Sequence, residues 1–530
     1  MVAMSKGGSF EQPYETGVVG IHAGVMRTGK VILWSFDVVP PDVPGDPATL
    51  DGASRILDPD TGDLVTPPQS HHVFCAGQSF LPDGRLLVAG GCDDEVSTLH
   101  IFDPDSGEWS LVGTMAGWSD GTQAGDDVSV GGEPGGRWYP TCTALPDGRT
   151  LIMSGTTLSG GPVRDNSTDL AHVMNRTLEI FDPAAGLGAT EELPVPFSPY
   201  FPDAVDTIDF YPFVYVLPDG RLAVHSRNTT RFYDLTDKWD PDRLFPTVRA
   251  KSRTYPGEGT SVLLPLLPDG DTPYRPRILI AGGGGADEQD AQPLTLKTPA
   301  TGSAEILDLG DPDPAWRATN SLKHPRVMPD ATLLPDGTVL VTGGSSVGMA
   351  GNKGDGATVP VMLPELFDPV AETWTTMNRM TVPRLYHSTA VLLPDARVLL
   401  VGTDGFFNPP PAADKPEYRA EIFSPPYLHT GPRPSISSAP ATVRYGATFV
   451  VESPDADRVQ KAALLRPGAA THSFNMDQRH VGLRILGKTG TQLTLEAPPS
   501  ANIAPPGHYL LFIVDDKGVP SVAPFVAVGV

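Results

Sequence analysis

The sequence predicts an all-β protein: a seven-bladed kelch-type β-propeller over residues 1–430, then an immunoglobulin-like β-sandwich over residues 431–530. Three observations carry that prediction. One hairpin phrase recurs along most of the chain, a second phrase follows most of its copies, and both disappear after Pro426.

The hairpin phrase reads FLPDGRLLVAGG from Phe80, ALPDGRTLIMSG from Ala144 and VLPDGRLAVHS from Val216. It continues as LLPDG from Leu266, LLPDGTVLVTGG from Leu333 and LLPDARVLLVGTDG from Leu392, with a worn copy, VMRTGKVILWS, from Val25. Most copies place a Pro-Asp-Gly turn (Pro-Asp-Ala in the last, Arg-Thr-Gly in the worn one) between two runs rich in leucine and β-branched residues, as a tight hairpin requires. The second phrase reads LHIFDPDSGEWS, LEIFDPAAG, TRFYDLTDKW, AEILDLGDPDPAW, PELFDPVAETW and, last, AEIFSP. It supplies the third and fourth strands of a four-stranded unit, and seven such units close a ring without exposed edges. After Gly431-Pro-Arg-Pro434 the chain changes to short alternating runs such as ATFVVES, KAALLRP, TQLTLEAP and HYLLFIVDD, the pattern of a sandwich.

Composition agrees. Glycine (56) and proline (57) are abundant without collagen periodicity, which suits many short strands. A formal charge of −25 argues against nucleic-acid binding, because such a surface repels phosphate. Three cysteines, Cys75, Cys92 and Cys142, are too few and odd for a disulfide framework, and Cys92 and Cys142 have no assigned role. No apolar run is long enough to span a bilayer, and the first residues lack the apolar core of a signal peptide.

Repeat phase singles out a set of residues. Six residues before the turn leucine stand Cys75, Tyr139, Tyr211, Met328 and His387 in copies two, three, four, six and seven. Equivalent positions in a propeller lie at one height around one axis, so these side chains ring one mouth of the central channel. A thiol, two phenols, a thioether and an imidazole, with Tyr386 beside His387, form a set of soft and borderline donors that suits copper better than calcium or magnesium. Neighbouring residues on a regular strand point to opposite faces, so Tyr386 and His387 can share one metal only from irregular backbone at the strand entry, for which Pro383 is a sign. His472, in RPGAATHSFNMDQRH, is expected in a polar loop of the C-terminal domain that caps the mouth.

At these residues the sequence resembles the copper-radical oxidases, the glyoxal oxidase branch more than galactose oxidase. The phrases that carry the resemblance are HHVFCAGQ, GGRWYPT, FYPFVYVLPDG, RTYPGEGTSVLLPL, RLYHSTAVLLPD, AEIFSPPYL, THSFNMDQR and PPGHYLLFIVDDKGVPS, in the family's order over nearly the whole chain. The resemblance implies one Cu(2+) held by Tyr139, Tyr386, His387 and His472. It implies a thioether that joins Cys75 to the Tyr139 ring, and a tyrosyl radical on that pair. Cys75, Tyr139 and Tyr386 are then the catalytic residues. The reaction it implies is oxidation of a small aldehyde, as its hydrate, or of a primary alcohol, with O2 reduced to hydrogen peroxide. It also favours a secreted or cell-surface protein, and a monomer is expected.

One departure concerns galactose oxidase, which stacks a tryptophan over the linked tyrosine from a glycine-rich stretch further along. Here that stretch reads SGTTLSGGP, so the group that shields the radical is unassigned and a hexose substrate is disfavoured. Candidate substrate contacts are Arg137, Tyr211, Arg253 and Tyr255. For the two arginines, tying blades together is the stronger reading, and for the two tyrosines packing is at least as good. His71, His72 and Asp404 count only as neighbours of the site. The competing reading is a non-catalytic kelch scaffold that binds protein or glycan, since fold alone does not separate the two.

Overall fold

The computed structural model describes residues 6–36, 53–68, 71–92, 95–115, 135–156, 175, 178–185, 190–192, 210–234, 244–248, 252–270, 272–284, 297–350, 359–403 and 417–529. Seven antiparallel blades surround one axis. Their innermost strands are His22–Val25, Gly77–Phe80, Thr141–Ala144, Phe213–Val216, Thr260–Leu263, Asp330–Leu333 and Thr389–Leu392. Each innermost strand is followed by a second strand built from the same phrase, so all seven copies form inner hairpins.

The turn chemistry repeats as well. In blade two the Leu81 amide donates to the Arg85 carbonyl at 2.8 Å, Asp83 Oδ1 accepts the Arg85 amide at 3.0 Å, and Gly84 adopts φ +90°. Only a residue that tolerates the left-handed region fits there. Blade seven puts Ala396 in that place, at φ +69°.

Blade five departs from the expected pattern. There the turn residue is Leu264, whose amide donates to the Arg277 carbonyl at 2.8 Å. The LLPDG from Leu266 is an insertion beyond it, and the Leu266 amide donates to the His480 carbonyl at 2.9 Å. The phrase that marks a tight turn elsewhere is used here to grip the C-terminal domain.

The ring is closed by the N-terminus. Ser9–Phe10 pairs with Arg419–Ser424 as the outer strand of blade seven, so first and last segments share one sheet. Apolar side chains fill the space between neighbouring blades, as with Leu264, Leu279, Ile306, Leu333, Val339 and Phe367 between blades five and six.

The C-terminal strands run in the order Thr442–Val443, Phe525–Val528, Gly507–Asp515, Val459–Arg466, Arg479–Thr489, Gln492–Glu496, Thr448–Glu452. Arg479–Thr489 pairs with Val459–Arg466 through its first half and with Gln492–Glu496 through its second, so one long strand joins the two layers of an immunoglobulin-like sandwich. No helix among the described residues is long and apolar enough to cross a membrane.

This domain stands on the propeller face where the innermost strands end. Arg466 donates to the Phe80 carbonyl at 2.7 Å, Arg479 to the Val216 carbonyl at 3.0 Å, and Gln478 accepts the Leu333 amide at 2.9 Å. The mouth ringed by Cys75, Tyr139 and His387 lies at the opposite face, where those strands begin. The expected cap is therefore not what the domain provides. Instead its hairpin Ala469–Thr471/Phe474–Asn475 runs up the channel and pairs with His22–Val25 of blade one (His22 opposite Thr471). The hairpin tip, His472-Ser473, reaches the far mouth.

Candidate metal centre

Three residues of the phase-selected ring bring the site together through an unusual backbone. Cys75, Tyr139, Tyr211, Met328 and His387 adopt φ values of +64°, +68°, +45°, +59° and +67°. Non-glycine residues pay for this conformation, so five at equivalent places mark a shared device. Each stands two residues before its innermost strand, and the left-handed kink breaks the strand alternation. That is how adjacent Tyr386 and His387 come to lie face to face, with ring centroids 3.8 Å apart. Backbone hydrogen bonds tie the ring from blade to blade. The Tyr211 amide donates to the Tyr139 carbonyl at 3.0 Å, and the Tyr139 amide to the Cys75 carbonyl at 2.9 Å.

His472 arrives by a different local rule. His472 and Ser473 both have positive φ, +47° and +63°, between the paired residues Thr471 and Phe474. This is a two-residue turn of the type that matches strand twist. The Thr471 hydroxyl donates to the Ile21 carbonyl at 3.0 Å, so it accepts from His472 Nδ1, 2.6 Å away. That fixes the tautomer and leaves the Nε2 lone pair facing inward, buried and without a hydrogen-bond partner.

The donors converge. Tyr139 Oη and Tyr386 Oη are 2.6 Å apart. The ring of His472 lies 4.7 Å from that of Tyr139 and 4.6 Å from that of His387. Cys75, His387 and His472 each place a donor atom within 4.8 Å of the others. All five side chains are buried. Burial, with Cys75 and Tyr386 close by, holds the Tyr139 phenol well above its ordinary range, and burial does the same to Tyr386, helped by Tyr255 and Glu258. Burial and then His387 push His472 well below the ordinary imidazole range. By themselves, then, the phenols stay protonated and His472 stays neutral. Two phenol oxygens and neutral imidazole nitrogen in a buried pocket suit a cation such as copper that replaces the phenolic protons.

Several residues at the site went unread in the sequence. Trp138, directly before Tyr139, stacks on it with centroids 3.8 Å apart and planes 14° from parallel. The aromatic cover expected to be missing is therefore present, contributed by the adjacent residue, and the motif GGRWYPT already contained it. His22 accepts the Cys75 amide at Nε2, 3.0 Å away, and its Nδ1 lies 2.8 Å from Gln78 Oε1, so it holds the kinked Cys75 backbone. Burial pushes His22 down to about 3. Glu258 is the blade-five member of the ring, six residues before Leu264. Counting from the displaced LLPDG hid it. Its carboxyl, pushed up to about 8 by burial and then by Asp330, lies 3.4 Å from the Ser473 hydroxyl.

The four candidate substrate contacts fare differently. Arg137 and Arg253 are fully buried and their charges are paired within their own blades. Arg137 donates to Glu179 at 2.7 Å and to the Ser154 carbonyl at 2.9 Å. Arg253 pairs with Glu305 and donates to the Ser303 carbonyl at 3.1 Å. Tyr211 packs on Tyr139 (centroids 4.8 Å apart) and spends its hydroxyl on the Ala76 carbonyl at 3.0 Å. Tyr255 lies edge-on to Tyr139 at 5.3 Å. Asp404 lies outside the described residues.

Comparison with known proteins places this chain in a lineage. Residues 183–427 match the family "Glyoxal oxidase N-terminus", residues 433–528 match "Galactose oxidase-like, Early set domain", and residues 81–116 match a Kelch motif. The aldehyde oxidase GLOX of Vitis pseudoreticulata is 32% identical over 96% of this chain and 95% of its own. The galactose oxidase of Gibberella zeae is 26% identical over 94% of this chain and 67% of its own. A fungal alcohol oxidase of the AA5 family, solved in complex with copper, covers 99% of this chain and 100% of its own at a TM-score of 0.76 and 24% identity. The chain belongs to the copper-radical oxidase family. Within it the resemblance is to the glyoxal oxidase and aldehyde oxidase members, and the protein is an oxidase of that type.

Proposed function

We propose that Tyr139, Tyr386, His387 and His472 hold a single copper ion, that Cys75 becomes bonded to the Tyr139 ring, and that the enzyme, acting as a monomer, oxidises small aldehydes or primary alcohols. The observation that carries this is the convergence, in one buried mouth, of two phenol oxygens 2.6 Å apart with the Nε2 of His472, delivered by a hairpin from another domain. A kelch scaffold has no use for that arrangement. The two domains, 1–430 and 431–530, then form one catalytic unit, because each supplies donors.

Copper, when bound, supplies a one-electron couple and a Lewis-acidic position for the substrate oxygen. Tyr386 Oη takes the proton of the substrate hydroxyl, a role its phenol can fill only after losing its own proton. Tyr139, linked to Cys75, holds the second oxidising equivalent and takes the hydrogen from the substrate carbon. Trp138 covers the Tyr139 ring and keeps water from it. For a hydrated aldehyde the sum is RCH(OH)2 + O2 → RCOOH + H2O2, which balances without another reactant.

The substrate reading favours glyoxal, methylglyoxal and glycolaldehyde over galactose. The relatives named aldehyde oxidase support it, and Arg137 and Arg253 are spent on Glu179 and Glu305 inside their blades. The missing tryptophan no longer counts, since Trp138 supplies the indole. The test is peroxide production from each compound at equal concentration, in protein with measured copper content. A higher kcat/KM for galactose defeats the substrate assignment. Copper-free, inactive protein after exposure to copper and O2 defeats the enzyme assignment.

A further inference from the structure

Blade two breaks a rule that four other blades keep. Opposite the second strand, the third strand of blades three, five, six and seven carries a fully buried glutamate. Glu179 pairs with Arg137, Glu305 with Arg253, Glu365 with Arg326 at 2.8 Å, and Glu421 with Arg384 at 3.8 Å. The phrases LEIF, AEIL, PELF and AEIF show the same glutamate. In blade two the phrase is LHIF and the position belongs to His100, opposite Val88 just as Glu179 is opposite Ile152. Among the described residues no arginine is paired with it. Its neighbours are Glu95 and His71.

We propose that His71, Glu95 and His100 form a second metal site, for a borderline divalent cation of the Zn2+ class, separate from the catalytic centre. His71 Nδ1 lies 3.0 Å and His100 Nε2 3.5 Å from the same carboxylate oxygen, Glu95 Oε1. A tetrahedral ion with bonds of about 2.0–2.1 Å separates its donor atoms by roughly 3.4 Å. The imidazole rings lie 4.2 Å apart.

The hydrogen bonding leaves a gap at this point. The Thr98 hydroxyl donates to the Glu95 carbonyl at 2.8 Å, so it accepts from His100 Nδ1, 3.4 Å away. His100 Nε2 then presents a lone pair, fully buried and without a hydrogen-bond partner, toward a carboxylate. Glu95 Oε2 is buried without a partner too. A lone pair facing a carboxylate repels it, so either a proton on His100 Nε2 or a metal cation sits between them, and two imidazoles with one carboxylate at these separations are a donor set for zinc. His71 and Glu95 are partly exposed, which gives an ion a route in and leaves room for a water ligand. The segment that starts at His71 carries Cys75, four residues on, so the ion would clamp to the blade the strand entry that presents the thiol.

The test uses the full chain, stripped of metal, and a His387→Ala/His472→Ala variant in which both imidazole donors of the catalytic centre are gone. Both are loaded with Zn2+, washed, and assayed for bound metal and for affinity by calorimetry. The expected result is one tightly held Zn2+ in the double variant, and at least a tenfold loss of affinity at that site in His71→Ala and in Glu95→Gln. Two partly exposed positions are tested separately, so failure of one variant to fold leaves the other decisive. Zn2+ absent from the wild-type chain, lost with the His387/His472 pair, or unaffected by both blade-two substitutions overturns the proposal. In that case a proton on His100 fills the gap. None of these outcomes depends on the oxidase being active.

Discussion

Replacing Thr471 with valine tests whether a single hydroxyl sets the metal affinity. Thr471 is fully buried at the end of the channel hairpin, donates to the Ile21 carbonyl and accepts from His472 Nδ1. Valine keeps the shape and the strand preference, and the backbone pairing with His22 and Phe474 remains. What is lost is the group that fixes the His472 tautomer. The Nδ1 hydrogen becomes a buried donor without a partner, which costs about 1–3 kcal/mol. Removing a hydrogen-bond partner behind a ligating histidine lowers metal affinity about 10–100-fold, or about 1.4–2.7 kcal/mol. Thr471→Val should therefore bind copper 10–100-fold more weakly by chelator competition while it still folds cooperatively, and Thr471→Ser should restore most of the affinity. A valine variant within about twofold of wild type would refute the reasoning, since 0.4 kcal/mol is too little for the loss of an orienting bond.

Other predictions follow from the same contacts. Exposure to copper and O2 should lower the intact mass by about two hydrogens, as a thioether between Cys75 and Tyr139 requires, and a peptide map with unmodified Cys75 would contradict it. Trp138→Leu should leave copper content unchanged but shorten the lifetime of the oxidised, radical-bearing form, followed by its visible absorbance, and an unchanged decay would show that the indole shields nothing. Arg326→Met leaves the buried Glu365 carboxylate with only the Lys323 and His324 amides and should cost about 3–5 kcal/mol in urea unfolding; a loss below about 1 kcal/mol would mean the charge pair is not what holds the blade. Burial holds His22 and His225 down to about 3 and His480 to about 4, against an ordinary 6.5. Below pH 6.5 the unfolded chain binds protons that the folded chain refuses, so stability is full above that pH and each histidine removes about 1.4 kcal/mol per unit as pH falls toward its folded value. His225→Gln should make the loss between pH 6.5 and 4.5 shallower than in wild type, a comparison that cancels groups of opposite sign such as Glu258.

What the sequence determined by itself was whatever repeats. A tight turn between apolar runs, most often Pro-Asp-Gly, is a local instruction, and the phrase that carries it, repeated seven times, fixes blade number, strand order and the height of Cys75, Tyr139 and His387 on the axis. The phase of the repeat therefore locates the mouth. It failed where the period slips. Three extra residues in blade five displaced the count and concealed Glu258, because sequence distance stops measuring height once a loop is inserted.

Other features were settled only by tertiary structure, since they depend on where separate segments meet. His472 reads as a loop residue, but the strand pairing of Ala469–Thr471 with His22–Val25 takes it through the channel from the far face. No local pattern announces that an edge on blade one is waiting for it. For Arg137 and Arg253 the sequence leaves substrate contact open beside the stronger reading of a tie within the blades, and no local pattern names Glu179 and Glu305, more than forty residues along the chain, as their partners. A buried guanidinium must find a carboxylate, and which one it finds is decided by the fold. Trp138 lay in plain view beside Tyr139, but on a regular strand it would point away. The left-handed turn at Tyr139 brings the two rings parallel, and that conformation is stable only because the surrounding blades enforce it.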